Sequence, residues 1–236
     1  MDFSTNQILE WAVALLVVVF SVIVHENAHG MAAERFGDTT ARDMGRITMN
    51  PLPHVDPIGT IVMPLFAFIA TITSGHAVPF IAWAKPVPVN PANFRNPIVH
   101  DSYVAAMGPL SNFALAIGGT ALYAVVGLVF KHVPALGESG GNSFLFFQLL
   151  CLNLIQINIV LAMFNLLPVP PLDGHWILFR FLPPRWGEVL ASLRPYGFMI
   201  LLVLVFTGVL WQIIGPPVNL MINGLIGVVR LAVTAL

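Results

Sequence analysis

Long apolar stretches separated by short polar breaks are the feature that most limits how this chain can fold. Six of them occupy residues about 8–30, 58–83, 103–130, 144–167, 196–214 and 218–235. Each is close to the roughly 20 residues that a helix needs to cross the hydrocarbon core of a bilayer. Only 9% of the residues are charged, against about 25% in a typical soluble domain. The sequence therefore predicts an all-α polytopic membrane protein with five to six transmembrane helices.

Composition narrows the remaining possibilities. The net charge of −1 gives no reason to expect a nucleic acid partner. The single cysteine, Cys151, excludes an intramolecular disulfide and any multi-cysteine metal site. The opening residues, MDFSTNQ, lack the basic residues of a signal peptide, so we expect the first apolar run to remain as a membrane helix. We expect one membrane-embedded domain over 1–236, with a core at about 10–180 and C-terminal helices at 190–236.

The ten basic residues indicate how the chain crosses the membrane. If all six stretches crossed, the basic loops 31–57 and 84–102 would lie on opposite sides, against the positive-inside rule. If residues 58–83 instead enter and return, and the N-terminus is outside, every basic residue except Lys131 lies in the cytoplasm or at its interface. We therefore expect five crossings plus a re-entrant, partly extended element between the first two core helices. Such an element is tolerated where it lines a polar cavity.

Three ionisable residues follow the first apolar run, in the sequence "VIVHENAHG". On a helix, His25 and His29 lie one turn apart on the same face, where both imidazoles can bind one tetrahedral metal ion. Glu26 lies about 100° around the helix and can reach a water on that metal. This is the H-E-x-x-H pattern of two zinc ligands and a general base. Residues snorkelling to the headgroups are the simpler alternative, but ionisable groups inside a membrane helix are usually functional.

A catalytic zinc usually has a third protein ligand and one open position. The sequence offers several candidates: Glu34, His54, Asp56, His76, His100, Asp173 and His175. Asp173 is the strongest, because it follows the apolar run "IVLAMFNLLPVPPLDG". The prolines in this run cannot continue a helix, so they predict an unwound end that aims Asp173 inward. A solvated loop aspartate is the alternative.

Three motifs together resemble the site-2 protease family of intramembrane zinc metalloproteases. They are "VHENAHG", "AAMGPLSN" at 105–112 and "FNLLPVPPLDG" at 164–174. The resemblance implies one zinc ion per chain held by His25, His29 and Asp173, with Glu26 as catalytic acid and base. It also implies regulated intramembrane proteolysis, in which transmembrane segments of other proteins are cut near the cytoplasmic side. This chain would be a compact form, without a PDZ or CBS domain.

Two asparagines in apolar helices are implied by the resemblance to contact the substrate backbone or oxyanion. They are Asn165 and Asn112. A buried amide is costly without a partner, and it can donate to a developing oxyanion. Hydrogen bonding between helices is the alternative for both, and it is the reading we give to Asn153 and Asn158.

The region after the first helix contains "WAKPVPVNPANF" at 83–94, which is too rich in proline to form a helix. In the resembled family this region is a re-entrant β-structure that pairs with an unwound substrate, in the manner of strand addition. A proline-rich interface loop is the alternative. His54 and Asp56 precede this region and are candidates for a gate or an accessory zinc ligand, or else for bracing a loop.

Two other classes of protein would also place these residues in a membrane. A zinc-binding transporter uses intramembrane His, Glu and Asp, although the sequence has no obvious inverted repeat. A non-proteolytic scaffold of the same fold is the other rival. We expect a multi-pass protein of the cell membrane with its site open to the cytoplasm. Its partners would be the lipid bilayer, a transmembrane substrate and, in a homo-oligomer, further copies of the chain.

Overall fold

The architecture is that of a helical bundle. The computed structural model describes residues 5–74, 83–133 and 141–235, and within these ranges no β-strand occurs. Its helices are α1 (Thr5–Arg35), α2 (Thr40–Asp43), α3 (Met63–Ser74), α4 (Pro97–His132), α5 (Gly141–Asn165), α6 (Asp173–Phe179), α7 (Pro184–Ser192), α8 (Gly197–Phe206) and α9 (Val209–Ala235).

Among the residues that the structure describes, five helical spans are long and apolar enough to cross a membrane. They are Ile8–Arg35, Pro97–His132, Ser143–Asn165, Arg185–Phe206 and Val209–Thr234. These spans confirm the predicted all-α polytopic fold, and their number equals that of the five expected crossings. The division into one domain with a core at 10–180 stays a prediction.

The boundary between the last two helices differs from the prediction. The apolar runs suggested a break near Pro216 and Pro217, but both prolines lie inside α9. The break instead falls at Gly208, whose φ of +75° is the left-handed conformation that glycine adopts after a helix end. Proline is tolerated inside a membrane helix, where neighbouring groups can satisfy the freed carbonyls. Glycine conformation therefore decided this boundary.

Helix α4 is the centre of the bundle and contacts α1, α5, α6 and α9. Small residues allow the closest approach. A Cβ added at Gly119 would lie 2.8 Å from the Cβ of Leu154 in α5. Ala116 of α4 and Ile159 of α5 are buried beside this contact, in an apolar cluster that extends to α8 and α9. The bundle therefore holds its second and third long helices at nearly backbone contact.

The chain after α1 runs from His54 into α3, and from Trp83 onward it again contacts residues 54–60. Asp56 caps the π-helical turn Pro57–Val62, which leads into α3. After residues 75–82, which lie outside the described ranges, the carbonyl of Trp83 accepts a hydrogen bond from the Thr60 hydroxyl (2.9 Å). The Lys85 N–H then donates to the carbonyl of His54 (2.9 Å).

The apolar helix Pro57–Thr71 is shorter than the five spans, in agreement with the expected re-entrant element. The chain after it forms no strand in the described part.

Adjacent glycines in α4 provide a matched test of the α4–α5 contact. Gly119→Ala should destabilise the protein by about 1–3 kcal/mol, because the added methyl overpacks the helix interface. Gly118→Ala should be neutral or stabilising by about 0.5–1 kcal/mol, because a Cβ there meets no atom within 4 Å. Thermal unfolding in detergent measures both. Equal melting temperatures for the two variants would contradict this account of the packing.

Candidate metal centre

The H-E-x-x-H sequence lies within α1, as the spacing predicted. His25 and His29 are 7% and 9% exposed, respectively, and their ring centroids are 4.6 Å apart. Arg35 ends the helix ten residues after His25, which is about 15 Å of helix rise. The two imidazoles therefore lie well inside the helical span rather than at its end.

Asp173 reaches these histidines from another part of the chain. Helix α5 ends at Asn165, and the proline-rich segment after it is non-helical until α6 begins with Asp173. Gly174 makes this turn possible, since a Cβ there would overlap the backbone carbonyls of Leu166 and Leu167. The prolines thus end α5, and the glycine lets α6 start directly against that end.

The three side chains form a compact group of ligand atoms. The two Nε2 atoms of His25 and His29 are 3.0 Å apart. The carboxylate of Asp173 lies 3.2 Å from Nε2 of His25 and 3.4 Å from Nε2 of His29. A tetrahedral zinc site with bonds of about 2.0–2.1 Å has edges of about 3.3 Å. Of the residues that the structure describes, these three form the group that could hold a metal ion.

Hydrogen bonds at the two Nδ1 atoms decide whether the Nε2 atoms have lone pairs available for a metal ion. Nδ1 of His29 lies 2.8 Å from the carbonyl of Val104, which can only accept, so Nδ1 carries the proton. Nδ1 of His25 likewise donates to Oδ1 of Asn112 at 2.7 Å. In the neutral imidazoles this leaves a lone pair on each Nε2 atom that a metal ion can accept, and the two Nε2 atoms face each other. Oδ2 of Asp173 is buried without a hydrogen bond. A cation shared by this oxygen and the two Nε2 atoms would give all three a partner.

The orientation of Asn112 is set by a chain of polar side chains. Its Nδ2 donates to Oδ1 of Asn158 (2.9 Å). Nδ2 of Asn158 in turn donates to the hydroxyl of Ser21 and to the carbonyl of Leu154, both at 2.9 Å. Because that carbonyl can only accept, each amide in the chain has one allowed orientation. Second-shell partners of this kind fix the tautomer of a metal-binding histidine.

Gly108 in the middle motif allows α4 to approach the histidines. A Cβ at this position would overlap Nε2 of His29 and lie 2.5 Å from Cε1 of His25. The motif "AAMGPLSN" thus has two effects. Gly108 lets the α4 backbone lie against the histidines, and Asn112 gives His25 a hydrogen-bond partner.

Similar proteins were found among curated sequences. "Putative zinc metalloprotease YwhC" of Bacillus subtilis is 34% identical over 205 residues, which cover 87% of this chain and 85% of that protein. The chain belongs to the site-2 protease family of zinc metalloproteases. "Putative zinc metalloprotease Rip2" of Mycobacterium tuberculosis is 30% identical, covering 85% of this chain and 71% of the relative. The corresponding protein of Mycolicibacterium smegmatis is 29% identical, covering 80% and 64%.

Neither a protein-family model nor a solved structure matches the chain. Membership of the site-2 protease family therefore rests on the relatives and agrees with the resemblance of the three motifs. It makes this protein a multi-pass membrane metalloprotease with zinc as its metal. The fit of the described ligand group to zinc is independent of those names, because it follows from two facing imidazole nitrogens and a carboxylate.

The other predicted site residues have varied surroundings. Glu26 is partly buried, and its Oε2 accepts the Val87 N–H at 2.7 Å. Asn165 ends α5 and donates from Nδ2 to the carbonyl of Leu161 in its own helix (3.0 Å). Asn112 is fully buried with both amide atoms bonded.

His54 and Asp56 lie outside the ligand group. Nε2 of the buried His54 contacts the carbonyl of Thr48 (3.1 Å), and Oδ1 of Asp56 accepts the N–H groups of Ile58 and Gly59. These are the contacts of loop bracing, the alternative that the sequence left open. Their role as a gate or accessory ligand stays a prediction. The candidate ligand His76 lies outside the described residues.

Sequence reasoning missed the contacts that come from the backbone. The Val104 carbonyl and the Val87 N–H carry no sequence signal, because every residue has such groups. Asn158 was read as a helix–helix contact, which is correct, but its link to His25 depends on a partner 46 residues earlier. Asp38 has no distinguishing sequence signal either, because an aspartate after a helix end resembles an ordinary loop residue.

The polar chain to His25 generates a test of metal binding. Asn112→Ala should weaken zinc affinity by about 10–100-fold, because His25 loses the acceptor that fixes its tautomer. Asn153→Ala is the control, since that amide donates within its own helix to Leu149. Competition with a chromophoric chelator measures both affinities. Unchanged affinity in Asn112→Ala would show that the chain does not orient the ligand.

Proposed function

We propose that this metalloprotease is an intramembrane endopeptidase, which hydrolyses peptide bonds in transmembrane segments of membrane-protein substrates near the cytoplasmic side. The observation that supports this most directly is the ligand group of His25, His29 and Asp173. Its ligand atoms lie within 4.8 Å of one another, and both histidines belong to a helix of membrane-spanning length. A site on such a helix would meet peptide bonds that are themselves inside a membrane.

In this proposal zinc is held by Nε2 of His25, Nε2 of His29 and the carboxylate of Asp173. When bound, the metal would polarise the scissile carbonyl and lower the pKa of a coordinated water to about 7. The protein would contribute three of the four ligands of a tetrahedral zinc ion. Asn112 and the Val104 carbonyl keep the two imidazoles in the tautomer that binds.

Glu26 is the proposed general base and then the general acid. Its Oε2 is engaged by the Val87 N–H, so Oε1 remains to take a proton from the attacking water. The same carboxyl group then delivers that proton to the leaving amine. Glu26 follows His25 directly in α1 and is not one of the three candidate ligands, which suits a base that would act on a metal-bound water.

Water must reach the site for hydrolysis to occur. The side chain of Asp173 is 17% exposed, more than those of the two histidines, and partly buried Asn165 lies at the nearby end of α5. We infer that water enters past these residues. The distribution of basic residues supports an opening to the cytoplasm, with the N-terminus on the outer side.

Different roles are proposed for the two asparagines. Asn165 keeps the role of a substrate contact, provided that its amide turns away from Leu161. The buried amide of Asn112 is committed to His25 and Asn158, so we assign it to positioning a ligand rather than to touching substrate.

Two substitutions test the proposed chemistry. Glu26→Gln should retain about one zinc per chain and abolish cleavage, because the amide binds no proton at the required step. Asp173→Ala should lose zinc or bind it much more weakly, because one of three ligands is gone. Metal analysis of purified protein and cleavage of a membrane-tethered reporter measure the two effects, with a chelator-treated sample beside the wild type.

The same measurements separate the rivals. A zinc transporter would bind zinc and leave the reporter intact in every sample, and a scaffold would lack both zinc and cleavage. Full activity in Glu26→Gln would remove that residue from the chemistry. Zinc retained in Asp173→Ala would require another third ligand, and His54 would be the next candidate.

A further inference from the structure

We propose that residues 83–90, called here the 83–90 segment, belong to the catalytic apparatus as a positioning element. The backbone N–H of Val87 orients the Glu26 carboxylate, and Asp38 holds the segment in the place where it can do so. This inference rests on the proposed role of Glu26 as general base. It assigns new positioning roles to Val87 and Asp38.

Val87 presents its N–H to Glu26 in a restricted backbone. Pro86 and Pro88 flank it and carry no N–H, so Val87 is the one donor between them. Proline fixes its own φ, and a residue before proline is confined to extended conformations. The bond to Oε2 of Glu26 is short, at 2.7 Å. A stiff piece of chain therefore carries the donor to the carboxylate.

The Val87 side chain packs against the face of α1 that carries Glu26. It is buried, and a Cβ added at Gly30 would lie 3.2 Å from its Cγ1. Gly30 is four residues after Glu26, one turn further along α1. The N–H of Val87 thus binds one turn of α1 while its side chain packs on the next.

Asp38 anchors the C-terminal end of the segment. It is 0% exposed, and its Oδ2 accepts the Asn90 N–H at 2.7 Å. Its Oδ1 accepts from the Asn93 amide at 2.7 Å and from the N–H and hydroxyl of Thr40. An unpaired carboxylate would be costly to bury, so these donors explain how it is tolerated.

The charge state of Asp38 suits this function. Burial alone would raise the pKa of its carboxyl, but the hydrogen bonds from Thr40, Asn90 and Asn93 outweigh burial and lower the pKa below its ordinary value. The carboxyl is therefore ionised at neutral pH and accepts from all of its donors at once. An asparagine could not replace it, since its NH₂ group would oppose one of the N–H donors.

The N-terminal end of the segment has its own anchors. The buried Arg46 donates through Nη2 to the carbonyls of Lys85 (2.8 Å) and Pro86 (3.1 Å). The Lys85 N–H donates to the carbonyl of His54. Both ends of the segment are thus tied to the loop after α1, and Val87 lies between them.

This arrangement has a consequence for proton transfer. A glutamate side chain has several rotatable bonds, and a base must lie within hydrogen-bond reach of its proton. Binding Oε2 to a backbone N–H removes much of this freedom and leaves Oε1 directed to a single region. Small misplacements of catalytic groups cost about 100-fold in rate, so loss of this N–H should lower kcat without removing the metal ligands.

The decisive comparison is Val87→Pro with Val87→Ala, measured on the full chain in detergent or liposomes. Val87→Pro removes the N–H from a residue that already lies between two prolines, whereas Val87→Ala keeps the N–H and shortens the side chain. We expect kcat to fall about 10–100-fold in Val87→Pro, with KM within about twofold and one zinc per chain. Val87→Ala should lower kcat less than Val87→Pro does, because it alters only the side-chain contact with α1.

A second pair tests the anchor. Asp38→Asn should lower kcat in the same way with zinc retained, whereas Asp43→Asn should not, because Asp43 is exposed and bonded to the Thr39 hydroxyl. Hydrogen exchange gives a readout independent of activity. Amide protection in the 83–90 segment should fall in Asp38→Asn and in Glu26→Ala, and should be unchanged in Asp43→Asn.

The possible failures are distinguishable. Wild-type kcat in Val87→Pro, beside inactive Glu26→Gln, would overturn this inference alone. An equal loss in Val87→Ala would assign the effect to side-chain packing and would also overturn it. A wild type without cleavage would refute the proposed function. In that case hydrogen exchange of the 83–90 segment still tests the contact between the Val87 N–H and Glu26. Unchanged exchange in Glu26→Ala would refute the contact. Increased exchange would show a structural contact and would refute its catalytic role.

Discussion

Polar atoms buried inside a membrane protein need partners, and this requirement organises the centre of the structure. No bulk water is present in the hydrocarbon region to compensate an unpaired group. The protein therefore connects Ser21, Asn158 and Asn112 into one chain that ends on His25. The imidazole nitrogens left over are the two Nε2 atoms, and they face Asp173. This hydrogen-bonded chain therefore ends at the candidate metal centre.

Such a chain requires helices that approach closely, which explains the importance of glycine. Gly108 brings α4 against both histidines, Gly119 brings α4 against α5, and Gly174 starts α6 at the end of α5. Each approach shortens the distance over which side chains as short as Ser and Asn must reach. Close packing is also what stabilises helix pairs in lipid, where apolar burial alone gives little preference for protein contacts. The same glycines therefore serve stability and site geometry.

The parts that could be predicted from sequence are those encoded locally. Helix periodicity places His25, Glu26 and His29 together in α1, and proline chemistry explains why α5 ends before Asp173. The spans follow from hydropathy, apart from the break at Gly208, where a conformational preference outweighed an apolar run. Contacts such as Glu26 with the Val87 N–H, 61 residues apart, depend on three-dimensional packing. No local pattern marks a backbone amide as part of a site, so reasoning from residue types cannot find it.

Helix α1 connects two tasks through two of its faces. Ser21, His25 and His29 recur every four residues and face α4 and α5, where the metal ligands are oriented. Glu26 and Gly30 have the same spacing on a neighbouring face and meet the 83–90 segment. Since the two faces contact different elements, the candidate metal ligands and the proposed base, Glu26, can be altered separately by mutation.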